Sequence, residues 1–266
     1  MIKRLSILLL SLSVSLFAEI NKEELSKLNV GALLVKDMTS KEMLYAKEPL
    51  KELKPASLTK VMTVLLAIEQ GGLNRPVTIT REMTRVEPTI AGYRRGDVIK
   101  LEDLIKAAMI QSGNDAAMAI AISVGGSKEK FVEMMNAKAK KIGMRHTHFT
   151  NPCGFDHKKH YSTPKDLLKM TEYAIKNKYF NEISKMNHHI YYSLNKNKKF
   201  AAYTHNRLLN KYEYAVGVKT GYTSKAGACL IARAQKDGRD CLIVMMNVKE
   251  DRWKMAKNIF EQVLDS

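Results

Sequence analysis

The chain has 266 residues, 44 Lys and Arg against 27 Asp and Glu, a formal net charge of +17 and three cysteines. That length suits one domain, or a core with an inserted subdomain, and needs no disulfide framework to fold. So basic a chain attracts polyanions, but its Lys and Arg are scattered, with no aromatic-interleaved stripe and no recognition motif. Nucleic acid is therefore not the expected partner, and most of the charge reads as solvated surface.

Residues 1–18 hold Lys3 and Arg4 and then an apolar segment from Leu5 to Ala18. Too short to cross a bilayer, this segment reads as a secretory signal, which makes 19–266 an exported chain of the periplasm or cell envelope. Leu16 is bulky for cleavage after Ala18, so a retained N-terminal anchor, with peripheral membrane or wall association, stays open. Strand patterns follow at Val30 to Lys36 and Met43 to Lys47. Helical patterns dominate from Leu58 to about Lys178, among them Leu101 to Ile110 and Asp115 to Val124. A second strand set runs from Ala215 to Val248, and Trp253, Ala256, Ile259, Phe260 and Val263 give a closing helix, about Arg252 to Leu264, one apolar face. That face could suit an interfacial tail, but a core helix is the preferred reading. The expected fold is α+β: an antiparallel sheet built from both chain ends and flanked by helices, with a mainly helical subdomain inserted within about 58–212. No further β domain is expected after the closing helix.

Three segments carry the chemistry: Ser57-Leu58-Thr59-Lys60, Ser112-Gly113-Asn114 and Lys219-Thr220-Gly221. Ser-x-x-Lys alone says little, since Ser127/Lys130, Ser162/Lys165 and Ser193/Lys196 repeat it and Ser193/Asn195 repeats Ser-x-Asn. The first segment differs in its setting, with Pro55-Ala56 before it and the apolar run Val61 to Ile68 after it. Ser57 thus falls at the start of a buried helix, where residues three apart share a face and Lys60 reaches the Ser57 hydroxyl. A lysine activates that hydroxyl only when neutral, which burial beside a second cation, for which Lys219 is the candidate, can bring about. Free N–H groups at the helix start would stabilise an oxyanion. Ser112 and Asn114 lie in a tight connection between two helices. Lys219, Thr220 and the open backbone at Gly221, in the strand pattern Ala215 to Tyr222, make a socket for a carboxylate.

In this order the segments resemble the low-molecular-mass penicillin-binding proteins, the serine-type D-alanyl-D-alanine carboxypeptidases. The likeness extends through Gln111 to Ala117, His160 to Thr163, Asn206 to Leu209 and Gly217 to Thr223, nearly the whole mature chain. It implies the penicillin-binding, β-lactamase-like fold and a two-step removal of the terminal D-alanine from peptidoglycan stem peptides, with β-lactam antibiotics as covalent inhibitors and no cofactor or metal. By the same resemblance Ser57 is the acylated nucleophile, Lys60 its base, Ser112 the relay to the departing amine and Asn114 a partner of the substrate peptide. Lys219 and Thr220 hold the terminal carboxylate, and the N–H groups of Ser57 and Tyr222, beside Gly221, form the oxyanion hole.

One departure is Cys153, where the family more often carries histidine or threonine. Two related activities stay open. A D,D-endopeptidase uses the same residues, whereas a class A β-lactamase needs a glutamate that His146 to Asn151 lacks, and has aspartate where Gly113 stands. A silent penicillin-sensing scaffold would have lost part of the site. Cys153, His157 and His160 raise a zinc question without a closed four-ligand spacing. The hairpin register sets Cys229 opposite about Met246, far from Cys241, so all three cysteines are expected to be unpaired.

Overall fold

The computed structural model describes residues 20–265; the expected signal segment, 1–18, lies outside the described residues. In chain order the elements are α1 (Lys22–Lys27), β1 (Val30–Asp37), β2 (Met43–Lys47), a 3-10 turn (Ala56–Thr59), α2 (Lys60–Gln70), β3 (Pro76–Thr78), α3 (Arg81–Thr84), β4 (Val98–Lys100), α4 (Leu101–Ile110), α5 (Asn114–Gly125), α6 (Lys128–Lys141), α7 (Pro164–Ala174) and α8 (Lys178–Ser184). They continue with β5 (His188–Tyr192), β6 (Lys199–Tyr203), α9 (Leu208–Lys211), β7 (Ala215–Thr223), β8 (Gly227–Lys236), β9 (Arg239–Val248) and α10 (Arg252–Leu264).

Five strands form an antiparallel sheet in the order β2-β1-β9-β8-β7, so strands from both chain ends do make one sheet. Its central strands are apolar on both faces because both are covered. In β9, Leu242, Val244 and Met246 face the core shared with the helical region, while Cys241, Ile243 and Met245 face the core under α10. The period of two assigns alternate side chains to opposite layers, and a run apolar at every position is how a strand buried on both sides reads. The closing helix is a core helix: Trp253, Ala256, Ile259, Phe260 and Val263 are buried in the second of these cores. Asp251 caps it, accepting from the N–H groups of Trp253 and Lys254.

The inserted region is less uniformly helical than its pattern suggests. β3 pairs with β4, and β5 with β6, as small two-stranded sheets beside the helices. β3 and β4 have three residues each, too few for a period to register. A bulge between Ala228 and Leu230 disturbs the β8–β9 register, yet Cys241 pairs with Ala234, well away from Cys229, and all three cysteines are free.

Candidate active site

The turn at Ala56–Thr59 ends against α2, whose first residue is Lys60. Ser57 is therefore in a tight 3-10 turn rather than in the helix itself, and Ala56 has a left-handed backbone, φ 49°. Residues from Val61 to Ala67 are buried, and packing this run fixes Lys60 at the helix start with no exposed surface. A buried ammonium needs partners. Lys60 Nζ has three: Ser57 Oγ at 2.9 Å, Asn114 Oδ1 at 2.7 Å and the Cys153 carbonyl at 2.7 Å. Two of these only accept. A neutral amine donating its two hydrogens to Asn114 and Cys153 aims its lone pair at the Ser57 hydroxyl. Burial lowers the pKa of Lys60 to about 8, against an upward pull from Cys153 and Asp115.

Ser112 supplies a second left-handed backbone, φ 63°, in the three-residue link between α4 and α5. Left-handed non-glycine residues are strained, and two of them bracket this site. The Asn114 amide is committed at both ends, since its Nδ2 donates to the Glu87 carbonyl at 2.7 Å while Oδ1 accepts from Lys60. Asn114 thus holds Lys60, and its side chain is buried rather than turned into the open cleft. Asp115, which the sequence reading passed over, accepts from Ala91, Gly92 and Tyr93 N–H, and the Asn114 N–H donates to the Thr89 carbonyl at 2.7 Å. These bonds tie the 87–93 segment to the start of α5.

The third wall is the loop that brings Cys153 to Lys60. Asn151 Oδ1 accepts from the N–H groups of Cys153, Gly154 and Phe155, and Thr63 donates to the Pro152 carbonyl. Gly154, φ 93°, lies so close to the Ala56–Thr59 turn that a Cβ there would meet the Ala56 carbonyl oxygen at 1.9 Å. Lys54 gathers the carbonyls of His157, Lys158 and His160. His160 accepts from the Thr150 N–H through Nδ1, which leaves the proton on Nε2 to donate to Thr59 Oγ1 at 2.9 Å. Burial lowers its pKa to about 3. With both nitrogens engaged, His160 is a brace behind the turn. Cys153 directs its Sγ at the Asn114 carbonyl, 3.4 Å away, and burial raises its thiol to about 11.

β7 is an edge strand, so its outer side presents backbone groups free of the sheet. Gly221 makes the approach possible: a Cβ there would lie 3.1 Å from the Pro55 carbonyl and 3.2 Å from the Ser57 nitrogen. Arg252 donates to the carbonyls of Gly221 and Cys229, at 2.8 and 2.9 Å. Ser57, Ser112, Thr220, Gly221, Tyr222 and Arg252 line one open cleft of 730 Å³, together with Pro88, Thr89, Thr204 and His205. Lys219 is buried behind it, in a recess shared with Thr220 and Asn206, where its Nζ donates to the Thr220 carbonyl at 3.1 Å. Its pKa is held well below the ordinary lysine value by burial, then by Lys60 and Arg252. The expected relation is thus modified, because burial leads at both lysines and Lys219 itself is strongly lowered. Asp115, Gly154 and Arg252 were not singled out from the sequence; only the positive φ and close backbone approach of the folded chain reveal why Gly154 must be glycine.

A family model described as D-alanyl-D-alanine carboxypeptidase matches residues 19–250. The chain belongs to this family. The D-alanyl-D-alanine carboxypeptidase DacF of Bacillus subtilis is 33% identical over 95% of this chain and 67% of its own length. DacC of Escherichia coli, with the same enzyme name, is 31% identical over 89% of this chain and 61% of its own length. The chain therefore spans about two thirds or less of these curated relatives. A crystal structure of a Streptomyces DD-transpeptidase, 26% identical, superposes with a TM-score of 0.83 over 88% of this chain and 97% of that one. The family likeness thus covers the sheet, the inserted helices and the cleft between them.

Proposed function

We propose that this chain is a serine-type D-alanyl-D-alanine carboxypeptidase acting on peptidoglycan stem peptides in the cell envelope, with Ser57 as nucleophile and Lys60 as base. The observation that carries this is the setting of Lys60 Nζ, pinned by two carbonyl oxygens and 2.9 Å from Ser57 Oγ. That geometry suits proton abstraction, and a pKa of about 8 leaves a working fraction of free amine near neutrality.

In the first step the Lys60 amine takes the Ser57 proton as Oγ bonds to the penultimate D-alanine carbonyl carbon. The oxyanion that forms is met by the N–H groups of Ser57 and Tyr222, on the turn and edge strand that Gly221 allows to approach. The C–N bond then breaks, and the terminal D-alanine departs with a proton delivered through Ser112, which lines the cleft. Water next attacks the ester; its proton is taken up as Ser57 Oγ–H is restored. Binding of the substrate's terminal carboxylate at Thr220, with Lys219 behind it and Arg252 alongside, stabilises the charged form of Lys219 that burial otherwise disfavours.

Incubation with purified peptidoglycan fragments tests the reading. Free D-alanine from pentapeptide stems is the expected product; splitting of cross-linked dimers without D-alanine release from monomers would identify an endopeptidase instead. Rapid turnover of benzylpenicillin would indicate a β-lactamase.

A further inference from the structure

The β5–β6 hairpin has an outer face that the reaction does not use. Its inner side is fixed to the body: Phe200 packs on Tyr93 with ring centroids 5.1 Å apart, Tyr191 Oη meets Tyr93 Oη at 2.6 Å, and His189 Nε2 pairs with Asp103 at 2.7 Å. The alternate residues point outward, and cross-strand pairing sets them in rows of His188 with Tyr203, Ile190 with Ala201, and Tyr192 with Lys199. Ile190 is 44% exposed, Tyr192 48%, Tyr203 62%, and Leu194 in the connecting turn 50%. These make four of the eight exposed large hydrophobic residues among the described ones, so the apolar surface is concentrated on one short hairpin. Concentration of this kind marks a binding surface.

Charge and position identify the occupant. Residues 187–204 contain no Asp or Glu; Lys196 and Lys198 pair with Asp97, while Lys199 stands on the outer row opposite Tyr192. At one end the face runs through Tyr203 directly into Thr204 and His205, which line the cleft holding Ser57. The His188 and Tyr203 rings stack there, 6.4 Å apart, as a platform. From Tyr203 to Lys199 the strip extends about 13 Å, at about 3.3 Å per residue. Aromatic faces stack on the C–H faces of pyranose rings, and lysine meets peptide carboxylates. Resting on the peptidoglycan reading above, we infer that this strip binds the glycan strand carrying the stem peptide whose terminus enters the cleft. The enzyme would then hold polymeric substrate at two places, whereas a short soluble peptide engages only one.

The test uses Ile190→Thr, Tyr192→Ser and Lys199→Glu combined, all exposed and away from the cleft. Against insoluble sacculi carrying pentapeptides, kcat/KM for D-alanine release should fall about tenfold, as the loss of an aromatic contact and a cation warrants. Release from a soluble N-acyl peptide ending in D-Ala-D-Ala should stay within about twofold of wild type. Co-sedimentation with sacculi, measured in a Ser57→Ala background so that binding is read without turnover, should drop in parallel. Unchanged sedimentation, or equal losses on both substrates, overturns the strip. So does wild-type binding to phosphatidylglycerol vesicles that the triple variant loses while sedimentation persists, because the face would then be a membrane contact. Failure of the wild type to release D-alanine from the soluble peptide would instead refute the activity, and sedimentation would still decide the strip.

Discussion

Replacing Asn114 with aspartate asks whether Lys60 works as a free base. Asn114 Oδ1 lies 2.7 Å from Lys60 Nζ, and the substitution puts a carboxylate oxygen in nearly the same place. With a pKa of about 8, Lys60 is neutral in roughly one molecule in ten near pH 7. An opposite charge at contact distance favours the ammonium and raises its pKa by about one to three units. The neutral fraction near pH 7 should therefore fall about 10- to 1000-fold. Because the base must lose its proton to act, a higher pKa moves the acid limb to higher pH. The assay is the second-order rate of acylation by benzylpenicillin between about pH 6 and 10. Wild type should rise about tenfold per pH unit and level off near pH 8, whereas Asn114→Asp should follow a displaced limb and recover much of its rate near pH 10. Superimposable limbs, or a uniform loss without displacement, would refute the free-base role of Lys60, since repulsion of the inhibitor's own carboxylate lowers the rate without moving the limb.

Lys60→Arg should abolish acylation although a cation remains, because guanidinium keeps its proton at working pH; near-normal acylation would make Lys60 an electrostatic partner only. Gly154→Ala should reduce acylation at least about 100-fold, since its Cβ would sit 1.9 Å from the Ala56 carbonyl and force Ser57 out of place. A rate within tenfold of wild type would contradict that packing. His160 is held neutral, its pKa lowered to about 3, so the unfolded chain binds the proton more tightly and stability falls as pH drops below the unfolded histidine value of about 6.5. Denaturant unfolding near pH 4.5 should show about 2 to 3 kcal/mol lost from this group relative to pH 7. His160→Gln should flatten that slope, and an unchanged slope would remove His160 as its source. Lys219→Ala should sharply lower kcat/KM for peptides with a free terminal carboxylate and affect amidated peptides much less; equal losses would leave Lys219 as a tuner of Lys60 rather than a carboxylate partner.

Much of this architecture is legible in residue order. The apolar run after Lys60 buries α2 and leaves Ser57 half-exposed, and the spacing of Trp253, Ala256, Ile259, Phe260 and Val263 places α10 on the sheet. Both follow from periodicity, which local sequence records directly. What sequence hides depends on contacts between distant segments. The third acceptor for Lys60 is a backbone carbonyl, that of Cys153, and a backbone atom leaves no trace in residue type. Asn114 reads as a group facing substrate until its amide is found committed to Lys60 and Glu87. Lys219 reads as an exposed strand lysine or an open socket, but lies buried behind Thr220 because β7 turns it toward α4 and α8. The β5–β6 hairpin was missed for a related reason: its alternation of buried and exposed positions includes apolar residues on the exposed side, so period two does not show as a polar and apolar pattern.

The central claim is that Ser57 is the acylated nucleophile, and a mass measurement tests it most directly. After brief exposure to benzylpenicillin, the intact protein should gain the full mass of one inhibitor molecule, since ring opening expels nothing, and peptide mapping should place the adduct on Ser57. Ser57→Ala should gain none. An unmodified wild type, or an adduct that persists in Ser57→Ala, would contradict the account.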